Sequence, residues 1–569
     1  MRVETPQILW NSDGDKGKNA PLYSVALQES GVDSEGDFTH VLVTAGNTST
    51  INLWRVSFTE SSSISSSSGN GGGGNGSGGI FQKATKPLTP IEYLTSLSRH
   101  DLPVNSVAFS PNGLHLLTAG EAGSIIIWSV PISKRGGGNG RHYWSTVSKE
   151  NDLAVRIVST HCEGVCDLSW SADSKRFCVG TIDSNVLIYE DKHYANNQTN
   201  PQQKESEWQL VFRNGEHTAF VQGVAYDPLG VYIASMGSDR TVRIFPRKTP
   251  PKSKKKVLRP SNAPRVVSPP HDHQQKVAQL LTEHKLEMTK TKRIQRRLLH
   301  VEEDGAQIKQ RLFVDESTCE SFFRRLCWTT DGLFLITPCA LWHQNQHDTT
   351  PSFSTYLFAR HRFDEPYKVL PGLEKPSVVV RANPVLYELP ESAQDESKEN
   401  QALPYRSIFA VLTLDTVLIY DTHHDRPLAV AKGLHYAGLT DCCWSKDGRH
   451  LLVSSTDGYL SILSFQEGEL GKLYQPVLPV VASTPAAELP TTTPAMIPPE
   501  PTLPVSEPGP VVVVAPPTKK RRVTPTLVVA ATKRAADEVG EGVQNMTLEA
   551  TNAIKKKKRI QPILVSNQL

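Results

Sequence analysis

The sequence lacks the segments that mark secreted and membrane proteins. No apolar run follows a basic N-terminus, and no stretch reaches the roughly 18 apolar residues that a membrane-spanning helix needs. The eight cysteines form neither a CxxC pair nor a Cys/His zinc spacing, which indicates small buried thiols in a reducing compartment. These absences predict a soluble protein of the cell interior or nucleus, with no metal, no other cofactor and no membrane partner.

Acidic residues are scarce in two segments of the chain. Residues 251–300 carry 13 lysines and arginines against three acidic residues, and residues 475–569 carry 11 against seven. The whole chain has a net charge of +3, so the remaining sequence is acidic, at −11. The positive charge is therefore held in segments, and we expect the globular part to be acidic.

Four windows of the chain repeat one layout. In each window 28 residues separate a histidine from a closing apolar residue, as from His100 to Trp128. Asp183, Asp239 and Asp457 each follow a window's histidine by 22 residues. Alternating apolar segments and Gly/Asp/Asn turns lie between them, which predicts short antiparallel strands. The four histidines are His100, His161, His217 and His435.

This layout resembles the WD40 repeat, in which four antiparallel strands form one blade of a β-propeller. The resemblance implies that each His and Asp joins a Ser or Thr and the Trp in a buried hydrogen-bond network, so these residues are structural. Three more degenerate repeats, one of which ends at Trp54, bring the total to seven. We therefore expect an all-β, seven-bladed WD40 propeller over residues 1–470, closed by pairing of the N-terminal strand with the last blade near LSILSF.

Three segments do not fit the blades. Ser61 to Gly79 is rich in Ser and Gly, which indicates an inert loop. Residues 246–312 form a basic insert, and its part from Gln274 to Val301 is compatible with a basic helix. This insert contacts DNA phosphates, provides an import signal or is a solvated loop, and the sequence leaves these three open. Residues 475–569 are rich in Pro, Thr and Val and lack the aromatics of a core, which predicts a disordered tail.

The degenerate blades contain the most distinctive sequences. SFFRRLCWTTDGLFLITPCA, LPYRSIFAVLTLDTVLIYDT and HTAFVQGVAYDPLGVYIA resemble the corresponding segments of the family formed by the B subunit of chromatin assembly factor 1, a WD40 component of the replication-coupled histone chaperone. The resemblance extends over about residues 1–470. We interpret its FFRRL segment, Phe322 to Leu326, as a blade strand with alternating inward Phe and Leu; a surface role for Arg324 or Arg325 is the alternative.

One motif occurs twice in the tail. It lies at 519–528 and again at 556–565, with the shared form K-[RK]-R-[VI]-x-P-x-L-V and a separation of 37 residues. Clustered basic residues alone suffice for a nuclear signal. The β-branched residue, the Pro and the Leu at fixed offsets are not needed for it and indicate recognition by a different binding partner. We assign the nuclear signal to Lys519, Lys520, Lys555, Lys556 and Lys557.

These offsets resemble the B-domain motif of the WD40 subunits in the replication-coupled and replication-independent histone chaperone complexes. The resemblance implies binding to the anti-silencing histone chaperone, an immunoglobulin-like β-sandwich. An extended segment can lie along a sheet with apolar side chains in pockets, basic side chains paired to carboxylates, and a Pro that lowers the cost of ordering. The implied chaperone-binding residues are Arg521, Arg522, Val523, Pro525, Leu527, Lys558, Arg559, Ile560, Pro562 and Leu564.

The resemblance implies a non-catalytic scaffold in the nucleus. It would join the large and the second WD40 subunits of chromatin assembly factor 1, and its tail would recruit the chaperone that carries histones H3-H4 to replicated DNA. Two other binding functions stay open, a subunit of the replication-independent complex and a substrate receptor of a ubiquitin ligase. An enzyme would need convergent titratable groups at the channel mouth, and the sequence offers only the His/Asp pairs.

Overall fold

The structure is a computed structural model of the chain, which divides into two units, Met1–Pro476 and Val477–Leu569. The second unit lies outside the described residues. Those residues are 1–475 except 9, 13–18, 33–37, 59–88, 136–140, 193–206, 249–285, 302–306, 344–350 and 391–402.

The first part of the chain forms a short strand, β1 (Arg2–Glu4), and then four sheets of four consecutive antiparallel strands. Blade 1 contains β2 (Leu22–Val32), β3 (Phe38–Gly46), β4 (Ile51–Phe58) and β5 (Ile91–Leu97). Blade 2 contains β6 (Val104–Phe109), β7 (His115–Gly120), β8 (Ser124–Ser129) and β9 (Ala154–Ser159). Blade 3 contains β10 (Val165–Trp170), β11 (Arg176–Thr181), β12 (Val186–Asp191) and β13 (Trp208–Asn214). Blade 4 contains β14 (Val221–Tyr226), β15 (Tyr232–Gly237), β16 (Thr241–Pro246) and β17 (Lys292–Ile294).

The rest of the described chain forms a hairpin and three further sheets. The hairpin pairs β18 (Arg296–Val301) with β19 (Gln307–Arg311). Blade 5 contains β20 (Cys327–Trp328), β21 (Phe334–Trp342), β22 (Ser352–Ala359) and β23 (Lys368–Leu373). Blade 6 contains β24 (Val379–Glu388), β25 (Tyr405–Leu412), β26 (Thr416–Asp421) and β27 (Ala429–Lys432). Blade 7 contains β28 (Leu439–Trp444), β29 (His450–Ser455), β30 (Leu460–Ser464) and β1. Short 3-10 helices cover Ile132–Lys134, His142–Thr146 and Glu150–Asp152 between β8 and β9.

The seven sheets form a closed ring, which confirms the predicted seven-bladed β-propeller. The first strand of each blade contacts the first strand of the next blade, and β28 of the last blade contacts β2 of the first. The N-terminal strand β1 pairs with β30 as predicted, with Val3 opposite Leu463. Because β1 comes from the start of the chain and β30 from its last blade, this pairing fastens the ring and covers a sheet edge.

The core lies between adjacent blades. The second strands β7, β11, β15 and β29 are buried along their whole length because a neighbouring blade covers each of their two faces. Between blades 1 and 2, for example, Val43 and Ile51 pack in one cluster with Leu116 and Trp128. The fourth strands lie at the rim, and β9 and β13 therefore consist mostly of partly buried and exposed residues. Each blade thus depends on its neighbours for the burial of its apolar side chains.

The helix considered for Gln274 to Val301 is wrong over its described part. Lys292–Ile294 forms β17, which pairs with β16 and places Ile294 opposite Val242 as the fourth strand of blade 4. Ile294 is buried, whereas Arg293 on the other face is exposed. Buried and exposed side chains alternate along this segment with a period of two, as in a strand. A strand is favoured over a helix here because it pairs with β16, whose edge would otherwise be open. The Gly/Ser segment from Ser61 to Gly79 lies outside the described residues.

Removal of β1 tests the role of ring closure. Deletion of residues 1–5 exposes the edge of β30 and removes the hydrogen bond between the Thr5 and Ser461 hydroxyls. We expect the free energy of unfolding to fall by about 1–3 kcal/mol, with more aggregation at the unpaired edge. Urea titration and light scattering measure both effects. The control Val3→Thr keeps the backbone pairing, and a deletion variant that unfolds at the same urea concentration as this control would contradict the role of β1.

Candidate functional site

The FFRRL segment lies at the centre of the ring, which corrects both interpretations of it. Phe322 to Leu326 precede β20 and are not part of a blade strand; Arg325 forms only an isolated parallel bridge with Val379 of β24. Arg324 and Arg325 are both 0% exposed, so neither has a surface role. Arg325 points into the structure, where the centre of the ring offers hydrogen-bond acceptors from several blades.

Arg325 binds backbone carbonyls at irregular positions of three blades. Its Nη1 donates to the carbonyl of Tyr23 at 2.9 Å and to that of Thr440 at 3.0 Å, and its Nη2 donates to that of Asn105 at 2.6 Å. Each of these three residues lies at a shift in register between the first and second strands of its blade. Such a bulge leaves one residue outside the ladder, and its buried carbonyl needs another donor. One guanidinium therefore supplies the hydrogen-bond donors that the bulges of blades 1, 2 and 7 need.

The backbone of the same segment reaches two more blades. The amide of Arg325 donates to the carbonyl of Val378 at 2.9 Å, and its carbonyl accepts from Val380 at 2.9 Å, which joins it to blade 6. The side-chain amide of Gln222, the residue at the bulge of blade 4, donates to the carbonyl of Phe322 at 2.8 Å. The FFRRL segment is therefore a common attachment point for blades on all sides of the ring.

Two carboxylates and two guanidinium groups balance their charges at this centre. Arg325 lies 3.3 Å from Asp167 and 3.1 Å from Asp441, and Arg381 donates to Asp441 at 2.9 Å. Burial raises the pKa of Asp167, and Arg325 and Arg381 oppose that shift. Burial also disfavours the charge of Arg381, but Asp441 and Asp167 outweigh it and raise the pKa of Arg381. Loss of any one charge would leave a buried ion without its partner.

Serine hydroxyls and amides extend this network across neighbouring blades. Ser24 of blade 1 donates to Asp441 of blade 7 at 2.9 Å, and Ser106 of blade 2 donates to Asp167 of blade 3 at 3.2 Å. Asp167 in turn accepts from the amide of Val224 in blade 4 at 3.0 Å. These contacts satisfy the buried carboxylate oxygens, as buried ions require, and connect consecutive blades.

Aromatic rings cover the central arginine. The ring of Phe323 lies 4.1 Å from the guanidinium carbon of Arg325, and Tyr23 packs beside Phe323 with a centroid distance of 5.7 Å. Burial raises the pKa of Tyr23 to about 12, with a smaller contribution from Glu121. The ring faces attract the guanidinium and exclude water, which strengthens its ion pairs.

The structure brings together three of the four predicted histidine networks. His217 Nδ1 donates to Asp239 at 3.0 Å and its Nε2 accepts from Ser235 at 2.8 Å. His435 repeats this arrangement with Asp457, at 3.1 Å, and with a serine hydroxyl of β30. His100 contacts Thr118 at 2.8 Å, and Thr118 accepts from the indole of Trp128 at 2.9 Å. In this blade Ala122 stands at the aspartate position of the repeat, so Nδ1 of His100 has no hydrogen-bond partner among the described residues.

The prediction for His161 and Asp183 is wrong. His161 is exposed in a left-handed conformation with φ of 53°, and Asp183 accepts from the amide of Glu163 instead. The preceding residue, Thr160, is buried, and its hydroxyl donates to the carbonyl of Gly123 in blade 2 at 2.6 Å. The third blade also closes with Tyr189, which lacks the indole donor of the network around His100. A correct spacing was therefore insufficient, because the left-handed backbone at residue 161 leaves the histidine exposed.

The remaining predicted sites lie at the surface or outside the described residues. Arg293 and Arg296 are exposed beside blade 4, and Lys292 pairs with Asp364 at 2.7 Å. DNA contact by the basic insert stays a prediction. Both tail motifs, at 519–528 and 556–565, with all of their chaperone-binding and nuclear-signal residues, lie outside the described residues.

The part of the chain that the structure describes contains neither a cluster of metal-ligating side chains nor a helix that could span a membrane. There, no three or more His, Cys, Asp or Glu side chains are grouped as a metal site would require. None of the helices described is long and apolar enough to cross a membrane.

Sequence reasoning missed the central ion network, although the sequence contains a signal for it. VCDLSW and LTDCCW place Asp167 and Asp441 at the same position of two otherwise apolar first strands. The adjacent arginines of FFRRL stand at the start of a third blade. Because a buried carboxylate needs a cationic or donor partner, these opposite charges at equivalent strand positions indicate a meeting point on the ring axis.

Replacement of Arg325 tests this centre. Arg325→Met removes the guanidinium donors to three buried carbonyls and the closest cation to Asp167, and we expect a loss of about 3–5 kcal/mol in the free energy of unfolding. Arg325→Lys keeps the charge but has three donors on one nitrogen in place of the planar fork of five, so it cannot reach all three carbonyls and both carboxylates, and an intermediate loss is expected. Urea denaturation is the measurement, with the exposed Arg296→Met as control. Equal unfolding midpoints for Arg325→Lys and the control would contradict the proposed role.

The buried His100 predicts a loss of stability in mild acid. Burial lowers the pKa of His100 to about 4, so the unfolded chain, with a pKa of about 6.5, binds its proton first as the pH falls. Stability from this residue is therefore complete above pH 6.5 and lost between pH 6.5 and 4. We expect His100→Gln to be less stable at pH 7 but to show a smaller change in urea midpoint from pH 7 to pH 5. The exposed His423→Gln should retain the wild-type pH dependence; an unchanged dependence in His100→Gln would refute the assignment.

Comparison with known proteins identifies the family. Residues 80–288 and 272–470 match the family model described as CAF1B/HIR1 beta-propeller domain. The B subunit of chromatin assembly factor 1 from Mus musculus is 29% identical, over 83% of this chain and 68% of the relative. The chromatin assembly factor 1 subunit FAS2 homolog of Oryza sativa subsp. japonica is 34% identical, over 68% of this chain and 65% of the relative. Protein hir1 of Aspergillus fumigatus is 25% identical, over 68% of this chain and 31% of the relative. The resemblance to the B subunit of chromatin assembly factor 1 is thus confirmed, and the chain belongs to the CAF1B/HIR1 β-propeller family.

Proposed function

We propose that this chain is a non-catalytic scaffold subunit of chromatin assembly factor 1, which helps to deposit histones H3-H4 on newly replicated DNA in the nucleus. The observation that carries the proposal is the combination of a CAF1B/HIR1 propeller with two copies of one docking motif in the same chain. A scaffold role also agrees with the interactions of the titratable groups at the ring centre. These groups form ion pairs with one another and hydrogen bonds with backbone carbonyls, as structural groups do.

The tail is the proposed recruitment site for the anti-silencing histone chaperone. Val523 and Ile560, with Leu527 and Leu564, would insert into apolar pockets along a sheet edge, while the preceding basic residues meet carboxylates. Two copies in one tail raise the local concentration of binding sites, even if one chaperone occupies only one copy. Histones would then reach the complex by proximity, with no bond chemistry at this subunit.

The propeller is the proposed platform for the large and the second WD40 subunits. Its blades are tied to one centre, so a partner that contacts several blades meets a surface whose parts keep their relative positions. Such preorganisation lowers the entropic cost of a broad interface. The acidic charge outside the two basic segments also suits basic partners, as histones are.

Two other binding functions are less well supported. A subunit of the replication-independent complex shares the propeller and the motif, but hir1 of Aspergillus fumigatus is less identical to the chain than the rice relative, at 25% against 34%. A ubiquitin-ligase receptor often ends a blade with Trp-Asp-x-Arg, whereas Trp54 is followed by Arg55 and Trp128 by Ser129.

A double substitution in the tail separates docking from nuclear import. Val523→Asp with Ile560→Asp keeps every basic residue and places a carboxylate where each motif needs an apolar anchor. We expect at least a tenfold weaker interaction with purified anti-silencing chaperone, because a charge in an apolar pocket costs more than about 1.4 kcal/mol. Nuclear import should persist because it depends on the lysines. Calorimetric titration and imaging of a fluorescent fusion measure the two effects.

The matched control adds the same charges at the variable positions. Thr526→Asp with Ile563→Asp changes net charge equally but spares the anchors, so it should bind more tightly than the test variant. Wild-type affinity in the test variant would overturn the docking proposal. Loss of import in the test variant would show that the apolar anchors are needed for nuclear import as well as for docking.

A further inference from the structure

Two cysteines lie together beneath the central arginine segment. Cys319, in the connection between β19 and β20, and Cys339, in β21, have their sulfur atoms 3.8 Å apart and are both buried. Cys339 lies at a shift in register within blade 5 and has a left-handed φ of 55°, which turns its side chain out of the regular ladder. Two thiols at this distance need only a small movement to form a bond.

A buried cation with unused donors lies beside this pair. Arg324 is 0% exposed, and its Nη1 donates to the carbonyl of Val314 at 3.3 Å. Its Nε and Nη2 have no hydrogen-bond partner among the described residues. A buried guanidinium is costly without an anion, and the thiol of Cys319 is a group whose charged form Arg324 favours. The hydrogen bond from Cys339 acts with Arg324 to lower the pKa of Cys319 to about 6.

We propose that Cys319 and Cys339 form a redox-active thiol pair, in which Cys319 is the thiolate held by Arg324 and Cys339 is the thiol that completes a disulfide. The class of co-reactant is a small-molecule disulfide. A small co-reactant suits this site because Cys319 is only 4% exposed.

The exchange has two balanced steps. The Cys319 thiolate attacks one sulfur of the small disulfide, forms a mixed disulfide and releases one small thiolate, which takes up a proton. Cys339 then loses its proton, attacks the sulfur of Cys319 and releases the second small thiolate. Two electrons pass from the two protein thiols to the small disulfide, which leaves as two thiols.

The position of the pair gives the bond a structural consequence. Cys319 lies five residues before Arg324, and Cys339 belongs to the second strand of blade 5. A bond between them would fasten the segment that carries Arg325 to its own blade. Closure of this short loop reduces the conformational freedom of the unfolded chain, so the oxidised propeller should resist unfolding better than the reduced one.

Oxidised glutathione and the full chain test the proposal. After incubation under native conditions and blocking of free thiols, mass spectrometry should show a peptide pair joined through Cys319 and Cys339, and the thermal midpoint should rise by a few degrees. Dithiothreitol should reverse both changes. Cys339→Ser should accumulate a glutathione adduct at Cys319, and Cys319→Ser should give neither product. The control Cys162→Ser, a partly buried cysteine outside the pair, should behave as the wild type.

The role of Arg324 is tested by the pH dependence of Cys319 alkylation, which a purely structural role would not change. In Arg324→Lys, which keeps a charge, and in Arg324→Met, alkylation of Cys319 by iodoacetamide should require a higher pH than in the wild type, with the larger shift in Arg324→Met. Cys162 should react with an unchanged pH dependence. The proposal is overturned if the joined peptide forms only in urea, or if Cys319 of the folded wild type reacts no more readily than Cys162.

Discussion

The hydrogen bonds of Arg325 to the carbonyls of Tyr23, Asn105 and Thr440 are the contacts on which the rest of this propeller depends. A ring of blades brings the first strand of every blade to a common axis, and each bulge in those strands leaves a carbonyl that water cannot easily reach. An open channel would leave these groups hydrated but weakly ordered. The guanidinium has five donors in a plane and a delocalised charge, so it can serve several acceptors and two carboxylates together.

This arrangement makes closure of the ring cooperative. Arg325 lies 302 residues from Tyr23, 220 from Asn105 and 115 from Thr440, so none of its main contacts is local. A partial ring would expose a buried cation with too few acceptors and carboxylates with too few donors. The chain therefore gains most of this stabilisation only when blades 1, 2, 3 and 7 have all assembled, and contacts of such long sequence separation favour slow folding.

The repeats made the architecture predictable from sequence, whereas the centre was predictable only in part. Period-2 alternation and regular His spacing repeat in several blades, so a departure from the pattern at one position does not change the predicted fold. The repeats predicted seven blades, and closure of the ring predicted the pairing of β1 with β30. The prediction for His161 failed because the spacing does not record the left-handed backbone conformation that leaves this histidine exposed. FFRRL was mistaken for a strand because its alternation is also that of a strand, and only the three-dimensional ring brings Asp167 and Asp441 to its arginines. Lys292–Ile294 was mistaken for helix because three residues are too short to establish a period.

The FFRRL segment is therefore used in the architecture of the propeller. It must satisfy several blades at once, so ring closure constrains its sequence. The tail motif repeats apolar and basic residues at fixed offsets in a Pro-rich sequence. Under the proposed function, a binding partner is the reason for this repeated pattern. Changes at the ring centre should accordingly act through the amount of folded protein, whereas under the same proposal changes in the tail should act through binding.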